Sequence, residues 1–255
     1  MMKDSLKQFR NKCLVRFTQR WLPLVIILFL LVTSGGQAQA VAAAPSDALA
    51  DRWFDMGLNV QLVDWFNDHA RPTDIARVDH YRLADLLDDV TVGQKLVVFK
   101  SVAEIETLMP TLASKLDIIG YNLEHGQANR PDEINDPIGS VKRARQLADR
   151  YGKRLAFGPD HQFAVKNGVA MAPYVDLFVL QVQRVQTEPE TVRDFVLPLA
   201  RSLRKANPKI EISVQVRTEG DVAALVSLLN SMKDELDGIS ILTSPETVTV
   251  AQKLG

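Results

Sequence analysis

Two carboxylates carry the chemistry that this sequence offers. Glu124 closes the stretch DIIGYNLE (117–124) and Asp160 closes RLAFGPD (154–160), each at the end of a predicted strand. Other polar side chains gather at further predicted strand ends: Lys100, Asn122, Gln181, Gln183, Gln215 and Arg217, with Thr243 on the last. Strand side chains alternate in direction. In EISVQVR (211–217) Ile212, Val214 and Val216 therefore share one face, and Ser213, Gln215 and Arg217 the other. The apolar face must be covered by helices, so Gln215 and Arg217 point into a polar mouth. The same alternation places Gln181 with Gln183, and Asn122 with Glu124.

Neighbouring strands lie about 4.8 Å apart. At that spacing Glu124 and Asp160 approach the roughly 5–5.5 Å separation of a retaining glycosidase, with Glu124 as general acid/base and Asp160 assisting. The amides and Arg217 would then hold sugar hydroxyls, which want fixed donors and acceptors. His125 and His161 directly follow the two acids, and Tyr121, Phe163 and Tyr174 offer faces for a sugar ring. A purely structural alternative uses the same residues: Lys100 and Arg217 neutralise Glu124 and Asp160 in an ion-pair network that closes the barrel. Lys100 as a Schiff-base lysine and a metal-assisted phosphodiesterase using His125 and His161 are further alternatives. The four histidines show no tight ligand spacing. No Gly-x-Gly-x-x-Gly or Walker loop follows any strand. Neither a metal nor a cofactor is expected.

The elements that must position these groups alternate. Predicted strands cover 95–100, 117–124, 154–160, 176–183, 210–217 and 237–243, with an earlier apolar run at 56–63. Predicted helices cover 102–115, 140–151, 190–206, 221–235 and 246–254, with one more at 81–88. Repeated βα units with apolar strands argue a parallel sheet covered by helices. Seven units are in view, so the fold class is α/β, a (β/α)8-type barrel whose eighth strand is irregular, missing or hidden in residues 64–95. An open doubly wound sheet is the competitor. Ser101-Val-Ala-Glu104, Thr187-Glu-Pro-Glu190, Thr218-Glu-Gly-Asp221 and Ser244-Pro-Glu246 read as helix starts. Two βα connections look long, 125–139 and 161–174, the second with room for a short helix, and ligands bind where such loops sit.

Composition sets the compartment. The 255 residues are 46% hydrophobic and 24% charged, with net charge −1 and one cysteine, which excludes a disulfide scaffold and a strongly basic nucleic-acid binder. Residues 1–40 hold six basic side chains and one acid, leaving 24 basic against 30 acidic, a charge of −6, for the remainder. That basic stretch runs into the apolar segment 21–32 and then Ala38-Gln39-Ala40, the pattern of a signal peptide cut after Ala40. The expected organisation is a signal peptide at 1–40, a linker at 41–50 and one barrel domain at 51–255. The protein would then be exported, periplasmic or extracellular, touching a membrane only through residues 21–32 if the leader stays uncut. Cys13 lies in the leader, so the exported chain has no thiol.

The segments GYNLEHG (120–126), AFGPDHQF (156–163), MAPYVDLFVLQVQRVQTEP (171–189) and VQVRTEGD (214–221) resemble exported bacterial glycoside-hydrolase-like (β/α) barrels across about residues 95–250. The resemblance implies the barrel and a carbohydrate ligand. In one respect the sequence departs from it. The chitinase-type strand Asp-x-x-Asp-x-Asp-x-Glu is reduced to Asp117-Ile-Ile-Gly-Tyr-Asn-Leu-Glu124, with Gly120 and Asn122 in place of two acids. Losing those acids removes their tuning of Glu124, which is also what a barrel that binds a glycan or an envelope partner without cleaving it would show.

Overall fold

Eight parallel strands close on themselves in chain order, each joined to the next by a helical crossover. The computed structural model describes residue 49, residues 51–126 and residues 129–254. The leader and nearly all of the linker read in the sequence lie outside the described residues. The described residues form one compact unit. Among the described residues no helix is long and apolar enough to cross a membrane.

The first half of the barrel runs β1 (Trp53–Gly57), α1 (Val63–His69), β2 (Ile75–Val78), a 3-10 segment (Tyr81–Asp89), β3 (Gln94–Phe99), α2 (Val102–Leu112), β4 (Ile118–Tyr121), α3 (Pro131–Asn135) and α4 (Pro137–Arg150). The second half runs β5 (Arg154–Phe157), α5 (His161–Met171), β6 (Leu177–Gln181), α6 (Pro189–Ala206), β7 (Glu211–Arg217), α7 (Val222–Asn230), β8 (Gly238–Leu242) and α8 (Val248–Leu254). Closure is made by β1 and β8, where Trp53 pairs with Gly238 and Met56 with Ile241. The strands carry the alternation expected of them. Ile75, Leu96, Val98, Ile118, Ala156, Leu177 and Val179 fill the barrel, while Val97, Phe99, Tyr121, Phe157, Phe178 and Leu180 belong to the larger core shared with the helices.

The helix starts follow local chemistry. The Ser101 hydroxyl accepts from the Glu104 amide at 3.0 Å, and the Glu104 carboxylate accepts from the Lys100 amide at 2.8 Å. Asp136, Asp160 and Asp221 cap α4, α5 and α7 through their side chains. The expected Thr187 start is displaced: α6 begins at Pro189 after Glu188, and no side chain caps it.

Three expectations about the elements change. Of the apolar run 56–63 only Met56 and Gly57 belong to a strand. β1 lies earlier, and Leu62 and Val63 are buried at the start of α1 instead. The hidden eighth strand is β2, within residues 64–95. It escapes a search for apolar runs because Arg77 points inward from its middle. The connection at 161–174, read as long with room for a short helix, is mostly helix: the 11-residue α5 followed by a short 3-10 turn. Its Phe163, Ala164 and Met171 are buried while Val165 and Val169 are exposed, so no single apolar stripe marks the helix.

Candidate functional site

The carboxyl ends of the strands carry two adjoining cavities. The inner one is a narrow shaft of about 340 Å³, its open end included, in the barrel axis, with Asp55, Arg77, Asp79, Asn122, Gln181 and Gln215 among its walls. The outer one is a cleft of about 910 Å³, its open side included, whose polar residues include Glu124, His125, Asp160, His161, Gln183 and Arg184. Gln181 belongs to both.

Sequence reasoning missed the core of the shaft. Asp55 on β1 and Arg77 on β2 are 1% and 3% exposed. Arg77 Nε donates to Asp55 Oδ1 at 2.8 Å, one terminal nitrogen donates to the Ile241 carbonyl at 2.9 Å, and the other donates to Asp79. Ser240 donates to the second Asp55 oxygen at 2.9 Å and lies 3.0 Å from the Ser213 hydroxyl. Burial raises the pKa of Asp55, and the Arg77 charge and hydrogen bond, with Ser240, work against that rise. Gly57 leaves space for this group: a Cβ there would lie 3.2 Å from an Arg77 nitrogen and 3.3 Å from Asp79 Oδ2. A signal did exist, since Arg77 and Asp79 stand two apart in IARVD, as inward residues of one strand must.

The outer cleft contains most of the expected residues. Pairing continues beyond the formal ends of β4 and β5, with the Gly158 amide bonded to the Tyr121 carbonyl and the Asp160 amide to the Leu123 carbonyl, both at 3.0 Å. Glu124 and Asp160 therefore follow neighbouring strands on one wall. Asp160 is heavily engaged. Its Oδ1 accepts from the Phe163 amide at 3.0 Å as the cap of α5, and its Oδ2 accepts from the His125 amide at 2.7 Å and from His125 Nδ1 at 2.6 Å. Burial alone would raise the Asp160 pKa. The amides of His125 and Phe163 and the His125 ring outweigh it and hold the carboxyl below its ordinary range.

A carboxylate only accepts, so Nδ1 of His125 carries the proton of this contact, and Nε2 is turned away from Asp160. The ring is also stacked on Phe163, with centroids 4.1 Å apart and planes 8° from parallel. His161 leans on Phe195 at 4.3 Å. On the opposite side Gln181 Nε2 donates to Glu124 Oε1 at 3.1 Å and to the Gly158 carbonyl at 3.0 Å. Gln183 Nε2 donates in turn to Gln181 Oε1 at 3.1 Å. Gly158 is needed here, because a Cβ at that position would lie 2.7 Å from Asn122 Oδ1.

Several expected residues lie elsewhere. Asn122 and Gln215 line the shaft instead of the cleft. Lys100 lines a separate surface groove with Tyr81, Glu104 and Arg130. Tyr121 is fully buried toward the helices, where its hydroxyl donates to Glu133 at 2.7 Å, so it cannot stack on a ligand. Burial first, and the Glu133 carboxylate second, push the Tyr121 pKa up. Arg217 ends β7 and borders neither cavity, and Thr243 ties β8 to the Gly57 carbonyl. Phe163 is consumed by the His125 stack, and Tyr174 meets Lys142. The expected network of Lys100 and Arg217 with Glu124 and Asp160 is not formed among the described residues. Asp55–Arg77–Asp79 and His125–Asp160 are formed instead. Among those residues no three His, Cys, Asp or Glu are grouped to hold a metal ion.

No family model and no curated protein matches the chain. Solved structures match its fold. A 3-keto-L-gulonate-6-phosphate decarboxylase from Vibrio cholerae is 10% identical with a TM-score of 0.52, covering 80% of this chain and 95% of that one. A protein assigned as a phosphonomutase from Burkholderia cenocepacia is 14% identical with a TM-score of 0.50, covering 82% and 96%. The carboxyl transferase domain of Rhizobium etli pyruvate carboxylase is 7% identical with a TM-score of 0.51, covering 79% of this chain and 41% of that one. At these identities the likeness is one of fold. None of the three is a glycoside hydrolase, and they correct the expectation of a glycosidase with Glu124 as acid/base and Asp160 assisting. The geometry gives a physical reason as well. Three hydrogen bonds already occupy the two oxygens of Asp160, which makes it a holder of His125 and a poor nucleophile.

Proposed function

We propose that the outer cleft belongs to an enzyme of general acid–base chemistry, a lyase or isomerase that moves a proton at a carbon next to a carbonyl in a small anionic substrate. The observation that carries this reading is His125, fixed through Nδ1 by Asp160 and stacked on Phe163, in the same cleft as Glu124. A histidine whose Nδ1–H is held by a carboxylate presents Nε2 as a base. Glu124, steadied by Gln181, supplies the second proton-transfer group. Arg184 at the rim makes no ion pair among the described residues and suits a carboxylate or phosphate of the substrate. The barrel fold, shared with a 3-keto-L-gulonate-6-phosphate decarboxylase, is compatible with such carbon chemistry without specifying it. Export by the leader in residues 1–40 is part of the proposal, and N-terminal sequencing of protein from the envelope fraction tests it.

The test of the chemistry is solvent exchange. The protein in D2O is offered a panel of small keto and hydroxy acids, with and without phosphate, and carbon-bound deuterium is followed by NMR. Exchange is expected for at least one member, falling about 100-fold or more in His125→Ala and in Glu124→Gln. Absence of exchange across the panel, or undiminished exchange in His125→Ala, overturns the reading.

A further inference from the structure

The amide chain across the cleft has only one direction. Gln181 faces a carboxylate oxygen and a carbonyl oxygen, both acceptors, so its Nε2 must lie on that side and its Oε1 on the other. Gln183 must then turn its own Nε2 toward Gln181 Oε1. The Gln183 Oε1 is left over. It is buried and has no hydrogen-bond partner among the described residues. Exchanging the oxygen and nitrogen of either amide would set oxygen against oxygen, so the acceptors at the far end of the chain decide that the atom left over on Gln183 is an oxygen.

A buried acceptor without a donor is costly, and native proteins leave few of them. This one belongs to a residue that lines the cleft beside Glu124 and His125. We infer that Gln183 Oε1 is a specificity-determining acceptor for a hydroxyl or ammonium group of the substrate. The inference rests on the reading of the cleft as a substrate site. Because Oε1 is closed to solvent, a donor reaches it only when side chains of the cleft shift, so the missing hydrogen bond is gained on binding. A substrate lacking the donor leaves the acceptor unfilled and binds more weakly, which is how sites built for a hydroxyl or amino group reject their deoxy analogues.

Three acids that differ only at carbon 2 test this: lactate carries a hydroxyl, alanine an ammonium and propanoate neither. Their dissociation constants for the full chain are measured by NMR titration. Lactate, alanine or both are expected to bind about 10-fold tighter than propanoate, and the comparison of the two identifies the donor. The preference should vanish in Gln183→Met. It should also vanish in Gln183→Leu, which removes the same acceptor; this variant decides the matter if Gln183→Met does not fold. Equal binding of all three acids, binding of none at about 50 mM, or a preference retained in both variants overturns the inference. A donor preference without any deuterium exchange in the wild type would defeat the proposed chemistry while sustaining the role of Gln183.

Discussion

The barrel holds two polar clusters near its carboxyl end, built from similar residues and put to different use. Around Asp55, Arg77 and Asp79 the guanidinium donates to two carboxylates and a carbonyl, and Ser240 fills the second Asp55 oxygen. Around Glu124, His125 and Gln183 groups are left over: the Nε2 of His125 and the unpaired oxygen of Gln183, neither with a hydrogen-bond partner among the described residues. The first cluster is almost wholly buried at Asp55 and Arg77, and the second opens on the cleft. Charge at a strand end is therefore no guide to chemistry by itself. Saturation separates the group that holds the barrel together from the group that has capacity for a ligand.

The largest expected effect breaks the saturated side. Arg77→Met leaves Asp55 buried without its counter-charge and should cost about 3–5 kcal/mol, read as a shift in a urea or thermal unfolding curve. A loss below about 1 kcal/mol would mean that the cluster is not held by this pair, and the contrast would collapse.

Gly158→Ala probes the boundary between the two. The added Cβ meets Asn122 Oδ1 at 2.7 Å, so the amide must move within the shaft. A cost of about 1–3 kcal/mol is expected. A crystal structure of the variant should show Asn122 displaced, with the Gln181 contact to the Gly158 carbonyl as the feature to inspect.

The smallest effect lies on the open side. Asp160→Ala should cost about 1 kcal/mol through loss of the α5 cap and should release the His125 ring, visible as changed Nδ1 and Nε2 nitrogen shifts. Its charge also predicts a pH dependence. The folded pKa of Asp160 is depressed below its ordinary 3.8, so its contribution is complete above that value and is lost as pH falls through the folded pKa. Melting temperature should therefore fall more steeply in the wild type than in Asp160→Asn between about pH 4 and pH 2. Equal slopes would show that the carboxylate is not specially stabilised in the fold.

Much of the fold was legible along the chain because apolar runs and helix caps are local. Six strands and the Ser101 and Asp221 starts could be read that way. β2 could not, and β1 only at its last two residues, since Asp55 and Arg77 interrupt the apolar pattern and make sense only as partners 22 residues apart. The extent of α5 was obscured by exposed Val165 and Val169. The cleft was partly legible: alternation brought Glu124, Gln181 and Gln183 to one end, and chain adjacency brought His125 and His161 with the acids. The same alternation sent Lys100 and Arg217 there too, although one lines another groove and the other neither cavity.

The sequence by itself determined that strands alternate with helices, that their carboxyl ends are polar, and that its first 40 residues differ in charge from the rest. Those properties depend on near neighbours, whose spacing periodicity reports. Only the tertiary structure decided which polar groups are used up. A hydrogen bond between Arg77 and Asp55, or between His125 and Asp160, depends on strand register, on barrel closure and on which helix begins at which residue. Each donor satisfies a limited number of acceptors, so assigning one changes what is left for all the others.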